Sequence, residues 1–187
     1  MKAIHCMVAT LLAFTAQFTA ADEYTNTLES FGNAGAAKFV DVAYGYAVFP
    51  TIGKGGIGIG GAFGEGHVFE QGEVIGEAKM KQITIGFQLG GQAYSQVIFF
   101  QDKRALDEFT SGSFEFGAQA TAVALTSGVS AEATTGGGSG TSISGGQNNA
   151  DIKSSGFYKG MAVFTIAKGG LMWEASIGGQ QFKFKPL

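Results

Sequence analysis

From Gly56 onward the chain alternates glycine with larger apolar residues, a pattern that allows few folds. Ile57, Ile59 and Phe63 fall on one side of an extended strand, and Gly58, Gly60, Ala62 and Gly64 on the other. A strand with one nearly bare face is weak unless another backbone or a helix approaches it closely. This segment therefore predicts a tightly covered sheet, with the helix that precedes it as the expected cover. The same period of two returns at Ile83, Ile85, Phe87 and Leu89 against Thr84, Gly86, Gln88 and Gly90, the alternation of half-buried antiparallel sheet.

Other segments fit this frame. Glu70-Gln71-Gly72-Glu73 reads as a turn between strands around His67–Phe69 and Val74–Met80. Further β runs are expected at Tyr94–Phe100, Phe114–Ala122, Phe157–Ile166, Leu171–Ile177 and Gln181–Lys185. Tyr24, Leu28, Phe31, Gly35, Phe39 and Val42 make a helical stripe, and Asp102 caps a short helix through Phe109. The glycine-, serine- and asparagine-rich stretch 134–150 has no apolar period and is expected as a flexible loop. With 31 Gly, 17 Phe, only 2 Pro and 14% charged residues, the composition suits turn-rich, aromatic-packed β structure. The expected fold is mainly β (α+β): an antiparallel, barrel-like sheet of about ten short strands, closed or nearly so, with an N-terminal helix and one short internal helix.

Met1-Lys2, an apolar run to about Ala20 and the small residues Thr19-Ala20-Ala21 read as a signal peptide, removed after Ala21. His5, Thr10, Thr15 and Gln17 interrupt the run, which argues against a spanning anchor. Residues 22–187 then form a single domain. Processing removes Lys2 and shifts the net charge from −3 to −4. It also removes Cys6, the one cysteine of the chain. An exported domain without cysteine suits the bacterial periplasm or envelope.

Most reactive chemistry lacks its residues. A net negative charge argues against nucleic-acid binding. Gly56-x-Gly58-x-x-Gly61 matches a dinucleotide pattern by letter, but no helix is expected to follow it, and Gly53-Lys54 lacks the Ser or Thr of a phosphate loop. No nucleotide or other cofactor is expected. His67 would be the only histidine after processing, too few for a zinc centre or a convincing Ser-His-Asp arrangement. Glu65, Glu70, Glu73 and Glu77 flank a hairpin and read as its solvated rim, not as a glycosidase pair.

An internal echo joins the two ends. Gly45-Tyr46-Ala47-Val48-Phe49 with Ile52-Gly53-Lys54-Gly55-Gly56 returns as Gly160-Met161-Ala162-Val163-Phe164 with Ile166-Ala167-Lys168-Gly169-Gly170. It predicts two similar hairpins, each strand, Lys-Gly-Gly turn, strand, with Lys54 and Lys168 at matching positions.

Ala43-Tyr44-Gly45-Tyr46-Ala47-Val48-Phe49-Pro50, then Gly53-Lys54-Gly55-Gly56-Ile57-Gly58-Ile59-Gly60-Gly61, then Gly86-Phe87-Gln88-Leu89-Gly90-Gly91-Gln92 resemble the SYLF domain family, also described as the Ysc-type actin-binding domain family. Lys168-Gly169-Gly170-Leu171-Met172-Trp173-Glu174-Ala175-Ser176 is similar to the C-terminal region of its bacterial members. The resemblance spans about Leu28 to Gln181. Gly76-Glu77-Ala78-Lys79-Met80 stands where eukaryotic members carry a Trp-Ser-x-Pro stretch. The resemblance implies a non-enzymatic domain that binds lipid or a membrane surface; actin, a partner of fungal members, is not expected to meet an exported bacterial protein. With a net charge of −4, attraction to an anionic bilayer must be local, and the candidate headgroup contacts are Lys38, Lys54, Lys79, Lys81, Lys159 and Lys168. The alternative is a structural or interaction protein of the outer membrane or envelope without specific lipid recognition.

Overall fold

The computed structural model describes residues 22–86, 91–117, 120, 122–125, 157–168 and 177–187. The expected signal peptide, the loop 134–150 and most of the strand expected over 171–177 lie outside them. Residues 22–42 form helix α1, α-helical over 22–31, π-helical over Gly32–Ala36 and α-helical again over Ala37–Val42. Gly35, at φ 117°, carries the irregular turn, a backbone conformation that glycine adopts without a Cβ penalty. The kink leaves both Phe31 and Phe39 buried against the sheet.

The sheet contains seven strands: β1 (Gly45–Glu70), β2 (Glu73–Gly86), β3 (Gln92–Phe100), β4 (Ser113–Glu115), β5 (Val123–Leu125), β6 (Met161–Lys168) and β7 (Gln181–Pro186). Their order is β4-β7-β2-β1-β3-β6-β5, antiparallel except that β5 runs parallel to β6. The structure departs from two expectations. The described strands number seven, not about ten, because β1 and β2 are far longer than the short strands read from the sequence. Among the described residues the sheet is also not closed: it ends at β4 and β5, three-residue strands that do not pair with each other. Helix α2 (Lys103–Thr110) instead buries Ala105, Leu106 and Phe109 in the core and touches β1, β3, β4 and β7. Its start was legible: Asp102 accepts a hydrogen bond from the Ala105 backbone N–H at 2.8 Å.

A fully extended strand of 26 residues would run roughly 85 Å at about 3.3 Å per residue. β1 avoids this by doubling back. Its first half pairs with β3 as far as Lys54, and its second half pairs with β2 from Gly58. The halves lie against each other, with Gln71 N–H donating to the Tyr44 carbonyl at 3.1 Å. There is no room for a side chain between them: a Cβ on Gly66 would lie 2.5 Å from the Val48 carbonyl oxygen, and one on Gly64 would lie 2.5 Å from Ile52 Cγ1. The cover over these glycines is therefore the strand's own first half, not the N-terminal helix. Strand structure continues through Lys54-Gly55-Gly56, so the expected separate turn is absent although the chain does reverse. At the other end Gln71 and Gly72, at φ 50° and 90°, link β1 to β2 with the positive φ pair a type I′ turn requires.

Apolar side chains collect on both faces. The inner cluster includes Phe49, Ile52, Val68, Met80, Ile98 and Phe182. The outer cluster packs Phe31 and Phe39 of α1 on Val48, Val97, Phe99 and Phe164. The echo flanks β3 on its two sides, Val48 and Phe164 both opposite Val97. That register is offset by one residue between the copies. Phe49 therefore faces inward while its counterpart Phe164 faces α1.

Candidate functional site

α1 covers the outer face over the first half of β1, β3 and β6, and its cover ends where Tyr24 stacks on His67 at 4.0 Å between ring centroids and 11° between planes. Beyond that contact the outer face of β1, β2 and β7 is open. Register fixes its rows: Phe63 opposite Lys81, and Lys81 opposite Gln181; Glu65 opposite Lys79, and Lys79 opposite Lys183; His67 opposite Glu77, and Glu77 opposite Lys185. All but the half-buried His67 are exposed.

The parity of this face is the reverse of ordinary sheet. Ile83 is 79% exposed while its neighbour Gln82 is 5% exposed and donates to the Gly178 carbonyl at 2.9 Å. Phe63 is 56% exposed while Ala62 faces the core. The close approach of the two halves of β1 dictates this choice, since only glycines fit inward at 64 and 66. Large residues are left to point outward.

Of the six lysines read from the sequence, the structure brings together Lys79 and Lys81, neighbours on the outer face of β2. Lys79 Nζ lies 2.7 Å from Glu65 Oε1, and that hydrogen bond, more than any other contact, raises its pKa. The other four are dispersed. Lys38 lies over the Phe39 ring at 5.0 Å from its centroid, and Lys159 over the Tyr158 ring at 5.6 Å. Lys54 is half-buried within β1, and Lys168, at the end of β6, donates to Thr51 Oγ1 at 2.6 Å. Sequence reading missed Lys183 and Lys185, which β7 places beside β2. Their signal was the alternation of Gln181, Lys183 and Lys185 with Phe182 and Phe184; the pairing partner was not readable.

Two buried glutamines pair with each other. Gln96 and Gln180 exchange amide hydrogen bonds at 2.9 and 3.1 Å inside the sheet, and Gln180 also donates to the Tyr94 hydroxyl at 3.1 Å. Burial holds the Tyr94 phenol well above its ordinary pKa, so it stays protonated. Burial lowers the His67 pKa, and Glu77 partly opposes this. A groove of about 530 Å³ between α1 and the ends of β3 and β6 is lined by Asp22, Glu23, Asn26, Ser95 and Lys168, among others. Among the described residues no three His, Cys, Asp or Glu side chains group as a metal site, and no helix is long and apolar enough to cross a membrane.

No curated protein matches the chain. Among known families, residues 81–181, more than half of the chain, match the Ysc84 family, described as Las17-binding protein actin regulator. This is the family that the Gly-Lys-Gly-Gly and Gly-x-Gln-x-Gly motifs resemble, and the chain belongs to it: it is a SYLF (Ysc84) domain protein.

Proposed function

We propose that this protein is a non-enzymatic lipid- or membrane-binding domain of the bacterial periplasm or envelope. Lipid binding is general among SYLF domains. One observation in this chain carries the reading: Lys79, Lys81, Lys183 and Lys185 gather on one sheet face of a protein whose net charge is negative. Against them on that face stand Glu65, Glu77 and, on β4 opposite Gln181, Glu115. The face is thus locally cationic by a small margin where the whole chain repels anions, and a juxtaposed lysine gains about 1 kcal/mol near an anionic membrane. The family description names Las17 binding and actin regulation. Neither is proposed for this chain, because an exported protein is separated from cytosolic filaments.

The test is flotation of the protein with vesicles of phosphatidylethanolamine, phosphatidylglycerol and cardiolipin. The reading expects the protein to rise with the vesicles, and more so as the anionic fraction grows. Protein that stays at the bottom of the gradient with every composition contradicts it.

A further inference from the structure

We infer that Phe63 and Ile83 form an apolar anchor that enters the acyl region of an anionic bilayer, seating the outer face of β1, β2 and β7 on the membrane. The inference rests on the lipid-binding reading and adds the surface, the orientation and the inserting side chains.

Three observations carry it. The exposure is imposed by the fold: the doubled-back β1 has room only for glycine inward at 64 and 66, so its large residue at 63 must face out, and β2 follows the same parity with Gln82 inward and Ile83 outward. The two apolar side chains are contiguous, because Gly61 opposes Ile83 and Phe63 opposes Lys81, which makes Phe63 and Ile83 diagonal neighbours with no side chain at Gly61 between them. Finally, the surroundings are charged in a graded way. Lys81 stands directly beside Phe63, with Lys183 and the Lys79–Glu65 ion pair in the next row, and long lysine stems can lie along an apolar surface while their ammonium groups reach phosphates. A protein partner of ordinary interface chemistry would find lysine at the centre of the patch, where interfaces are depleted of it. Anionic headgroups around two inserted side chains match both the charge and the shape.

The experiment places an environment-sensitive nitrobenzoxadiazole label at position 83, in the processed chain, residues 22–187, carrying Ile83→Cys. Vesicles are phosphatidylcholine with or without phosphatidylglycerol, and some carry brominated acyl chains. A label at Ser111→Cys, on the exposed end of α2, serves as the reference. The expected result is a blue shift and bromine quenching at position 83, with phosphatidylglycerol present, and neither at position 111. Phe63→Ser with Ile83→Ser is expected to weaken partitioning by about 100-fold. If the protein floats with vesicles while the label at 83 neither shifts nor is quenched, this surface is wrong although lipid binding stands. If nothing floats, the lipid reading fails and takes the anchor with it. A blue shift that appears without vesicles and grows with protein concentration assigns the patch to a second copy of the chain and overturns the proposal. Both side chains are exposed, so the substitutions leave the core intact, and an unchanged thermal unfolding transition checks this.

Discussion

Replacing Gly66 by alanine tests the doubled-back β1 on which the exposed face depends. The added methyl would meet the Val48 carbonyl oxygen at 2.5 Å and Phe49 Cδ1 and Cε1 at 2.6 and 2.8 Å. Carbon contacts are comfortable only at about 3.5–4.0 Å, so the two halves must separate by roughly 1 Å. The closest atom belongs to the backbone and cannot swing aside, and Phe49 is fully buried. Overpacking of this kind costs about 1–3 kcal/mol, and the upper end applies here. Gly53 lies in the same strand, and a methyl added there would meet nothing within 4 Å, so Gly53→Ala is the matched control and should stay within about 0.5 kcal/mol of the native protein. Urea unfolding reads both: with a slope of about 2 kcal/mol/M, Gly66→Ala should lower the midpoint by roughly 1.5 M. Equal midpoints for the two variants would refute the close approach and, with it, the reason why Phe63 faces out.

Other expectations follow from single contacts. Gln180→Leu leaves the Gln96 amide and the Tyr94 hydroxyl buried without their partner, so urea denaturation should show a loss of about 1–3 kcal/mol, whereas Tyr94→Phe should cost less because it leaves the reciprocal Gln96–Gln180 pair intact. Burial lowers the His67 pKa below 6.5, so as pH falls through that value the unfolded chain binds a proton before the folded one does. Stability should therefore be full above pH 6.5, decline below it, and level off once the folded pKa is passed; His67→Phe should flatten that part of a pH–stability curve. Glu65→Gln releases Lys79 from its ion pair and removes a carboxylate from the open face, so affinity for phosphatidylglycerol vesicles should rise about threefold by flotation.

Local elements were legible where their chemistry is local. The Asp102 cap, the Gln71-Gly72 reversal, the apolar run of β3 and the alternation of β7 needed only neighbouring residues. Periodicity separated the two faces of β1 and β2 but could not say which face is inside. That choice depends on Ile52 and Phe49 closing over Gly64 and Gly66, contacts set by the reversal within β1. The echoed residues, about 115 positions apart, enter the sheet one register step out of phase, so Phe49 and Phe164 end on opposite faces, while Gly169 and Gly170 of the second Lys-Gly-Gly turn lie outside the described residues. The lysine set was only partly readable. Lys79 and Lys81 share a strand face, but their neighbours Lys183 and Lys185 arrive through pairing about a hundred residues away.

The central claim, that the open outer face seats the protein on anionic lipid, is tested most directly by flotation of the native protein and the Phe63→Ser, Ile83→Ser variant at low and at molar salt. At about 1 M the screening length falls to about 3 Å, which removes the lysine contribution and leaves apolar insertion. The account predicts that the native protein remains on phosphatidylglycerol vesicles in high salt, while the variant binds weakly at low salt and is released at high salt. Identical flotation of the two proteins at both salt concentrations would contradict it.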